Sequence, residues 1–309
     1  MKRILAFLTG FVTLIINVTA FAQAGSIPPP QKRIGWERFT NKSADRSLLW
    51  KISGKGLAKP SYLFGTIHQI CPGDYLWTDA MKNSLNECEK VCFEMNLDDP
   101  NVMMQVAAGL IDMSGKKLKD YFTPAQYERI KRYMKDSMGM DIALFEQMKP
   151  IALESMIGLK EGSCDSPTSY EETIMKTAKD HKQGILGLEE AKEQLDVLET
   201  IPVDTVIKQL IDALDNLNSN MGDTTYQQMI TAYKQQDLPA LYTMITQSKE
   251  LGDGMDAFLD IRNKKWIPRM TEKMNKNSVF FAVGAGHLYG DNGVITLLRK
   301  EGYTVQAMK

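Results

Sequence analysis

The chain has 309 residues, of which 43% are hydrophobic and 24% charged, and its net charge is -1. That length allows one large domain or two small ones, and the composition is that of a globular protein. With no long basic run, the sequence argues against a dedicated nucleic-acid surface, and no nucleic-acid partner is expected.

Residues 1–22 read as a secretory signal. Lys2 and Arg3 form a short basic region, an apolar stretch runs from Ile4 to Ala20, and Ala20-Phe21-Ala22 is a small-x-small cleavage pattern. The stretch is only just long enough to span a bilayer, and Thr9, Gly10, Thr13, Asn17 and Thr19 dilute it, which favours cleavage over anchoring. The expectation is therefore an exported protein, periplasmic or secreted, with no stable membrane span after cleavage. Residues 23–47 read as a leader in which Pro28-Pro29-Pro30 is a stiff spacer, and residues 48–309 as a single domain.

Within that domain, "LLWKISG" and "SYLFGTI" predict two strands around the turn-rich "GKGLAKP". "DAMKNSLNECE" has helical spacing, and "KVCFEMNL" predicts a strand that contains Glu94. Residues 100–182 read as a long helical stretch. In "TPAQYERIKRYMKDSMG", Thr123 is a good N-cap, Pro124 suits the first helical position and Gly139 ends the run. "GILGLEE" predicts a short strand ending at Glu189 and Glu190, and residues 191–275 are again mostly helical. The chain closes with "SVFFAVGAGH" as a strand, "GVITLLRKEG" as a helix and "YTVQAM" as a strand. The implied class is α/β (α+β): a mixed central sheet built from N- and C-terminal strands, with a large helical insertion. The 19 methionines read first as core and second as an adaptable binding groove.

The four cysteines, Cys71, Cys88, Cys92 and Cys164, lack zinc-ribbon or finger spacing. An exported chain permits one disulfide among them. The spacing leaves the pair open, with buried free thiols as the alternative.

There are three histidines, His68, His181 and His287. Gly65 stands three residues before His68 and Gly284 three before His287, each after an apolar, β-prone run; His181 has Ala178 instead. At average glycine usage, two of three histidines sharing this feature is roughly a 1 to 2% event. Glycine at a strand end opens backbone angles closed to other residues and permits close approach of a ligand. In α/β sheets, ligands collect at the carboxyl ends of strands. Two histidines leaving two such ends can converge with a carboxylate, as hydrolytic metal sites do. Glu94 and Glu189 are the candidate carboxylates, because a buried charge needs a partner or a metal. The structural alternatives are turn histidines, an ion pair at Glu94, and Glu189 or Glu190 capping the helix that begins at Ala191.

Taken together, "YLFGTIH", "CFEMNL", "GLEEAKEQL", "IRNKKWIPRM" and "FFAVGAGHLYGDNGVITLLRKEGYTV" resemble the TraB/GumN-like family. That family includes the Tiki-type proteins and is related to the erythromycin-esterase and ChaN-like folds. The resemblance runs from about Leu48 to Val305 and is most specific in the closing motif. It implies a metal-dependent hydrolase, a metalloprotease in Tiki-type members, acting on a peptide or small-molecule substrate. His68 and His287 would be metal ligands and Glu94 a ligand or general base. Glu189 would be a second acidic position, and Arg262 and Asn263 an Arg-Asn pair on a helix. Arg262 would stabilise an oxyanion or orient a carboxylate, or else form a structural ion pair. Histidine ligation suits a divalent ion such as zinc, manganese or cobalt, or iron. Two other readings remain: a non-catalytic binder of haem or another metal complex, and a secretion accessory with a degenerate site.

Overall fold

The computed structural model describes residues 46–158, 164, 166–218, 224–247 and 256–308. The expected signal segment, and the leader up to residue 45, lie outside the described residues. All six expected strands form: β1 (Leu49–Ser53), β2 (Ser61–Thr66), β3 (Lys90–Phe93), β4 (Gly184–Gly187), β5 (Val279–Gly284) and β6 (Thr304–Met308). They make one mixed sheet in the order β4-β3-β5-β2-β1-β6. β2, β5, β3 and β4 are parallel neighbours, while β1 pairs antiparallel with both β2 and β6. β2 is buried along its whole length and β5 nearly so. A parallel strand covered on both faces has no solvent side, which is why these segments read as continuous apolar runs rather than alternations.

The helical material enters as two insertions. Between β3 and β4 lie α2 (Pro100–Gly109), α3 (Pro124–Met138), α4 (Pro150–Gly158) and α5 (Tyr170–Asp180), after α1 (Asp79–Asn86), which connects β2 to β3. Between β4 and β5 lie α6 (Ala191–Leu198), α7 (Val203–Asn218), α8 (Thr224–Lys234), α9 (Leu238–Gln247) and α10 (Ile261–Lys276). α11 (Val294–Lys300) returns the chain to β6. The expected long helical stretch is thus divided, and α3 shows how its ends are set. Thr123 Oγ1 accepts from the Gln126 amide, and Gln126 Oε1 accepts from the Thr123 amide at 2.9 Å, a reciprocal capping box. Gly139 closes the helix at φ +66°, a left-handed conformation that suits glycine. α10 follows directly on a π-helical turn, Asp256–Asp260.

Two apolar clusters result. One wraps the sheet and holds Phe64, Phe93, Leu188, Trp266 and Phe281. The other fills the helical lobe and holds Met95, Ala191, Leu210, Phe258 and Leu259. Met95, Met134 and Met156 lie inside the second cluster, so these methionines are core. Among the described residues, no helix is long and apolar enough to cross a membrane.

Cys71 and Cys164 form a disulfide with Cα atoms 5.7 Å apart, whereas Cys88 and Cys92 are buried free thiols. Beside the bridge, Ile70 and Thr168 exchange two backbone hydrogen bonds, of 3.0 and 2.9 Å. Together they bind the loop after β2 to the segment that enters α5. The disulfide closes a loop of 93 residues, and chain entropy for such a loop is worth about 2 to 5 kcal/mol. Replacing both cysteines by serine is expected to lower stability by that amount, read as a fall in the urea midpoint with a steeper slope as the unfolded chain expands.

Candidate functional site

Because β4, β3, β5 and β2 are adjacent and parallel, their carboxyl ends form one edge. Each end delivers one candidate residue. Glu94 follows β3 directly, Glu189 lies two residues past β4, and His68 two past β2. His287 ends the short 3-10 turn Ala285–His287 that follows β5. The two glycine-histidine motifs share a setting because they leave neighbouring strands almost in register, Thr66 opposite Gly284.

Space accounts for one of the two glycines, and backbone angle for neither. Neither has positive φ. A Cβ on Gly65 would sit 3.1 Å from Ala285 Cα and 3.0 Å from Leu288 Cδ2, against the turn that carries His287. A Cβ on Gly284 would meet nothing closer than Glu94 Oε1 at 3.4 Å, an ordinary contact. Close approach therefore explains Gly65, and the expectation of special backbone angles is corrected at both positions. Gly284 contributes instead through its amide, which donates to Glu94 Oε1 at 2.8 Å.

α10 lays one face over this edge, burying Arg262, Asn263 and Trp266. The Arg262 guanidinium lies between the two carboxylates. Its Nη2 donates to Glu94 Oε2 at 2.6 Å and to Glu189 Oε1, and its Nε is 3.1 Å from both Glu189 oxygens. Nη1 donates to Phe258 O at 3.2 Å and lies 3.3 Å from His287 Nε2. Every nitrogen of the group is thus engaged by the protein. The oxyanion role has no uncommitted donor here, and the carboxylate-orienting role fits.

The surroundings set the charges. Burial would raise the Glu94 pKa, but the fields of Arg262, His287 and His68 and the Gly284 amide outweigh it and hold it at about 2. Glu94 is an anion held far below the usual carboxylate range, which makes it a poor proton acceptor. Trp266 Nε1 donates to Glu189 Oε2 at 3.2 Å, and Gln194 Nε2 donates to Glu189 Oε1 at 2.8 Å and Glu94 Oε2 at 3.3 Å. Capping falls to Glu190, the N-cap of α6, which leaves Glu189 for the buried network.

His287 is held from behind. Its Nδ1 is 2.7 Å from Asn263 Oδ1, an acceptor, so Nδ1 carries the proton and Nε2 the lone pair. Asn263 Nδ2 donates in turn to His287 O at 3.2 Å and Asn292 O at 2.9 Å, fixing the amide orientation. The Trp266 indole lies against the imidazole with ring centres 4.4 Å apart. Burial, reinforced by Arg262 and His68 and opposed by Glu94, pushes the His287 pKa down to about 3. His287 is neutral at pH 7, and its Nε2 lone pair accepts from Arg262 Nη1 at 3.3 Å and lies 3.9 Å from Glu94 Oε1.

His68 stands slightly apart. Its ion-pair contact is with Glu171 Oε1, 3.2 Å from Nδ1, rather than with Glu94. Glu94 and Arg262 nonetheless reach it electrostatically, and His68 and His287 affect each other. Its pKa is raised: burial opposes the charged form, and Glu171 with Glu94 outweighs it. His181 ends α5 in an exposed position away from the group.

Among the described residues, no three His, Cys, Asp or Glu side chains stand close enough to hold a metal ion as a preformed set. The pair His287 Nε2 and Glu94 Oε1 fits one in part. Two buried acceptors face each other across 3.9 Å, and zinc bonds to nitrogen and oxygen are about 2.0 to 2.2 Å long. One ion between them would take the place of Arg262 Nη1 at Nε2 and join the Gly284 amide at Oε1. The structure therefore brings Glu94, Glu189, Arg262, Asn263 and His287 into direct contact and leaves His68 at the margin. Sequence reasoning missed Gln194, Trp266 and Glu171. Trp266 was accessible, one helical turn beyond Arg262. Gln194 and Glu171 look like ordinary helix residues.

Residues 48–307 match the TraB/PrgY/gumN family, and the chain belongs to that family. It is similar to Metalloprotease TIKI1 of Danio rerio, 25% identical over 90% of this chain and 66% of that protein. It is also similar to Metalloprotease TIKI2 of Danio rerio, 22% identical over 94% and 67%, and to Metalloprotease TIKI1 of Homo sapiens, 24% identical over 84% and 61%. The chain thus spans about two thirds of the length of these relatives. No solved structure matches it significantly.

Removing the Arg262 charge leaves Glu94 and Glu189 buried and uncompensated. Arg262→Leu is expected to cost about 3 to 5 kcal/mol near neutral pH by chemical denaturation of the metal-free protein. The depressed Glu94 pKa places its share of this stability above the usual 4.5, and that share is lost as pH falls towards 2. The deficit of the variant should therefore shrink across that window.

Proposed function

We propose that this chain is a metal-dependent hydrolase of the peptidase type, with His287, Glu94 and His68 as the residues that hold the ion. The observation that carries the reading is the approach of His287 Nε2 to Glu94 Oε1, two buried acceptors 3.9 Å apart with the imidazole tautomer set by Asn263. The names of the relatives point to the same chemistry.

Each residue then has a role that follows from its contacts. Asn263 holds Nδ1–H of His287 and turns Nε2 towards the strand edge. Arg262 occupies Glu94 Oε2, keeps the carboxylate ionised and leaves Oε1 to the Gly284 amide and the side of His287. The low pKa of Glu94 favours a ligand over a general base. Glu189, saturated by Arg262, Trp266 and Gln194, acts as the counter-charge that positions the guanidinium. A bound divalent ion supplies an acidified water and polarises a substrate carbonyl. Zinc, manganese and cobalt all suit this donor set. The Cys71–Cys164 bridge supports export to an oxidising compartment.

The test is metal content by mass spectrometry together with peptide hydrolysis, for the wild type, His68→Ala, His287→Ala and Glu94→Gln. Stoichiometric metal in the wild type, lost in His287→Ala and Glu94→Gln and weakened in His68→Ala, is the expected result, with cleavage abolished by a chelator and restored by added metal. Metal binding indifferent to these substitutions, or cleavage that survives chelation, would contradict the proposal.

A further inference from the structure

Glu171 is a buried carboxylate with no lysine or arginine partner among the described residues; its ion-pair contact there is His68. It sits in the first turn of α5, where the helix dipole eases its charge only in part. The rest of its shell is built from donors. Thr66 Oγ1 donates to Oε1 at 2.7 Å and Ser169 Oγ to Oε2 at 2.9 Å. A buried anion assembled in this way has a use for its remaining acceptor capacity.

His68 supplies the complementary need. Its Nδ1 is buried, lies 3.2 Å from Glu171 Oε1 and makes no aligned hydrogen bond to any group. The two segments are not free to separate. The Cys71–Cys164 bridge and the Ile70–Thr168 backbone pair pin the loop of His68 to the turn that carries Ser169 and Glu171.

We infer that Glu171 is the positioning residue of His68. It accepts Nδ1–H, fixes that tautomer and presents Nε2 to the strand-end site. The other histidine shows the same device. A helix-borne oxygen, Asn263 Oδ1, meets His287 Nδ1 at 2.7 Å. Histidines that bind metals usually donate their second ring N–H to such an oxygen, and losing it typically costs 10- to 100-fold in affinity. The inference deepens the metal-site reading and rests on it for the affinity effect only, since the tautomer is a property of the metal-free chain.

The experiment is nitrogen-15 NMR of labelled histidines in the metal-free protein, above the pH at which His68 is protonated, for the wild type, Glu171→Gln and Glu171→Ala. Zinc affinity of the same proteins is measured by chelator competition. His68 should be the Nδ1–H tautomer in the wild type and in Glu171→Gln, which keeps an acceptor oxygen. In Glu171→Ala it should lose that preference, with zinc affinity falling roughly 10- to 100-fold. An Nε2–H tautomer in the wild type would overturn the assignment even if the alanine variant does not fold. An unchanged tautomer in a folded Glu171→Ala protein would overturn it equally. Absence of zinc binding in the wild type would contradict the metal site and leave the tautomer result to judge Glu171 by itself.

Discussion

One guanidinium holds two carboxylates together where the sheet meets the helical lobe, and the site depends on that contact. Phe93 and Leu188 belong to the sheet cluster, Met95 and Ala191 to the lobe cluster, and Glu94 and Glu189 fall between them in the chain. Arg262 likewise lies between Leu259 of the lobe and Trp266 of the sheet. The ion-pair network therefore forms a polar seam between two apolar bodies. Such a seam is costly unless every group is met. Here Arg262, Trp266, Gln194 and the Gly284 amide meet the carboxylate oxygens. What the seam secures is position: it fixes Glu94 Oε1 beside His287 Nε2.

The topology explains why so few residues suffice. Four adjacent parallel strands end on one edge, and each contributes one polar side chain. Helices carry the residues behind the two histidines, Asn263 at His287 and Glu171 at His68. Under the proposed metal site, the strand ends would supply the groups that face the ion and the helices the groups that orient them. The orienting residues are themselves hydrogen-bonded, as a preorganised site requires.

Much of this was legible in the sequence, and the limits have physical reasons. The strands were readable because buried parallel strands are apolar on both faces, and α3 because its cap residues carry local signals. Glu94 and Glu189 were conspicuous as charges beside apolar runs. Their common partner was not: Arg262 lies 168 residues from Glu94 and 73 from Glu189, and only the family resemblance singled it out. Glu171 was hidden because an acidic residue in a first helical turn is usual and points to nothing. The role of Gly65 was misjudged for a related reason. Its close neighbour, Ala285, is distant in sequence, so the demand for space is a tertiary fact. The cysteine pairing was equally out of reach, since the bridge spans 93 residues.

The most direct measurement is anomalous diffraction at the zinc edge from crystals of the zinc-loaded full chain. The account predicts one strong peak at the carboxyl ends of β3, β5 and β2, bonded to His287 Nε2 and Glu94 Oε1, with His68 drawn in through its Nε2. A peak elsewhere, or no ordered metal while Arg262 remains seated between Glu94 and Glu189, would contradict it.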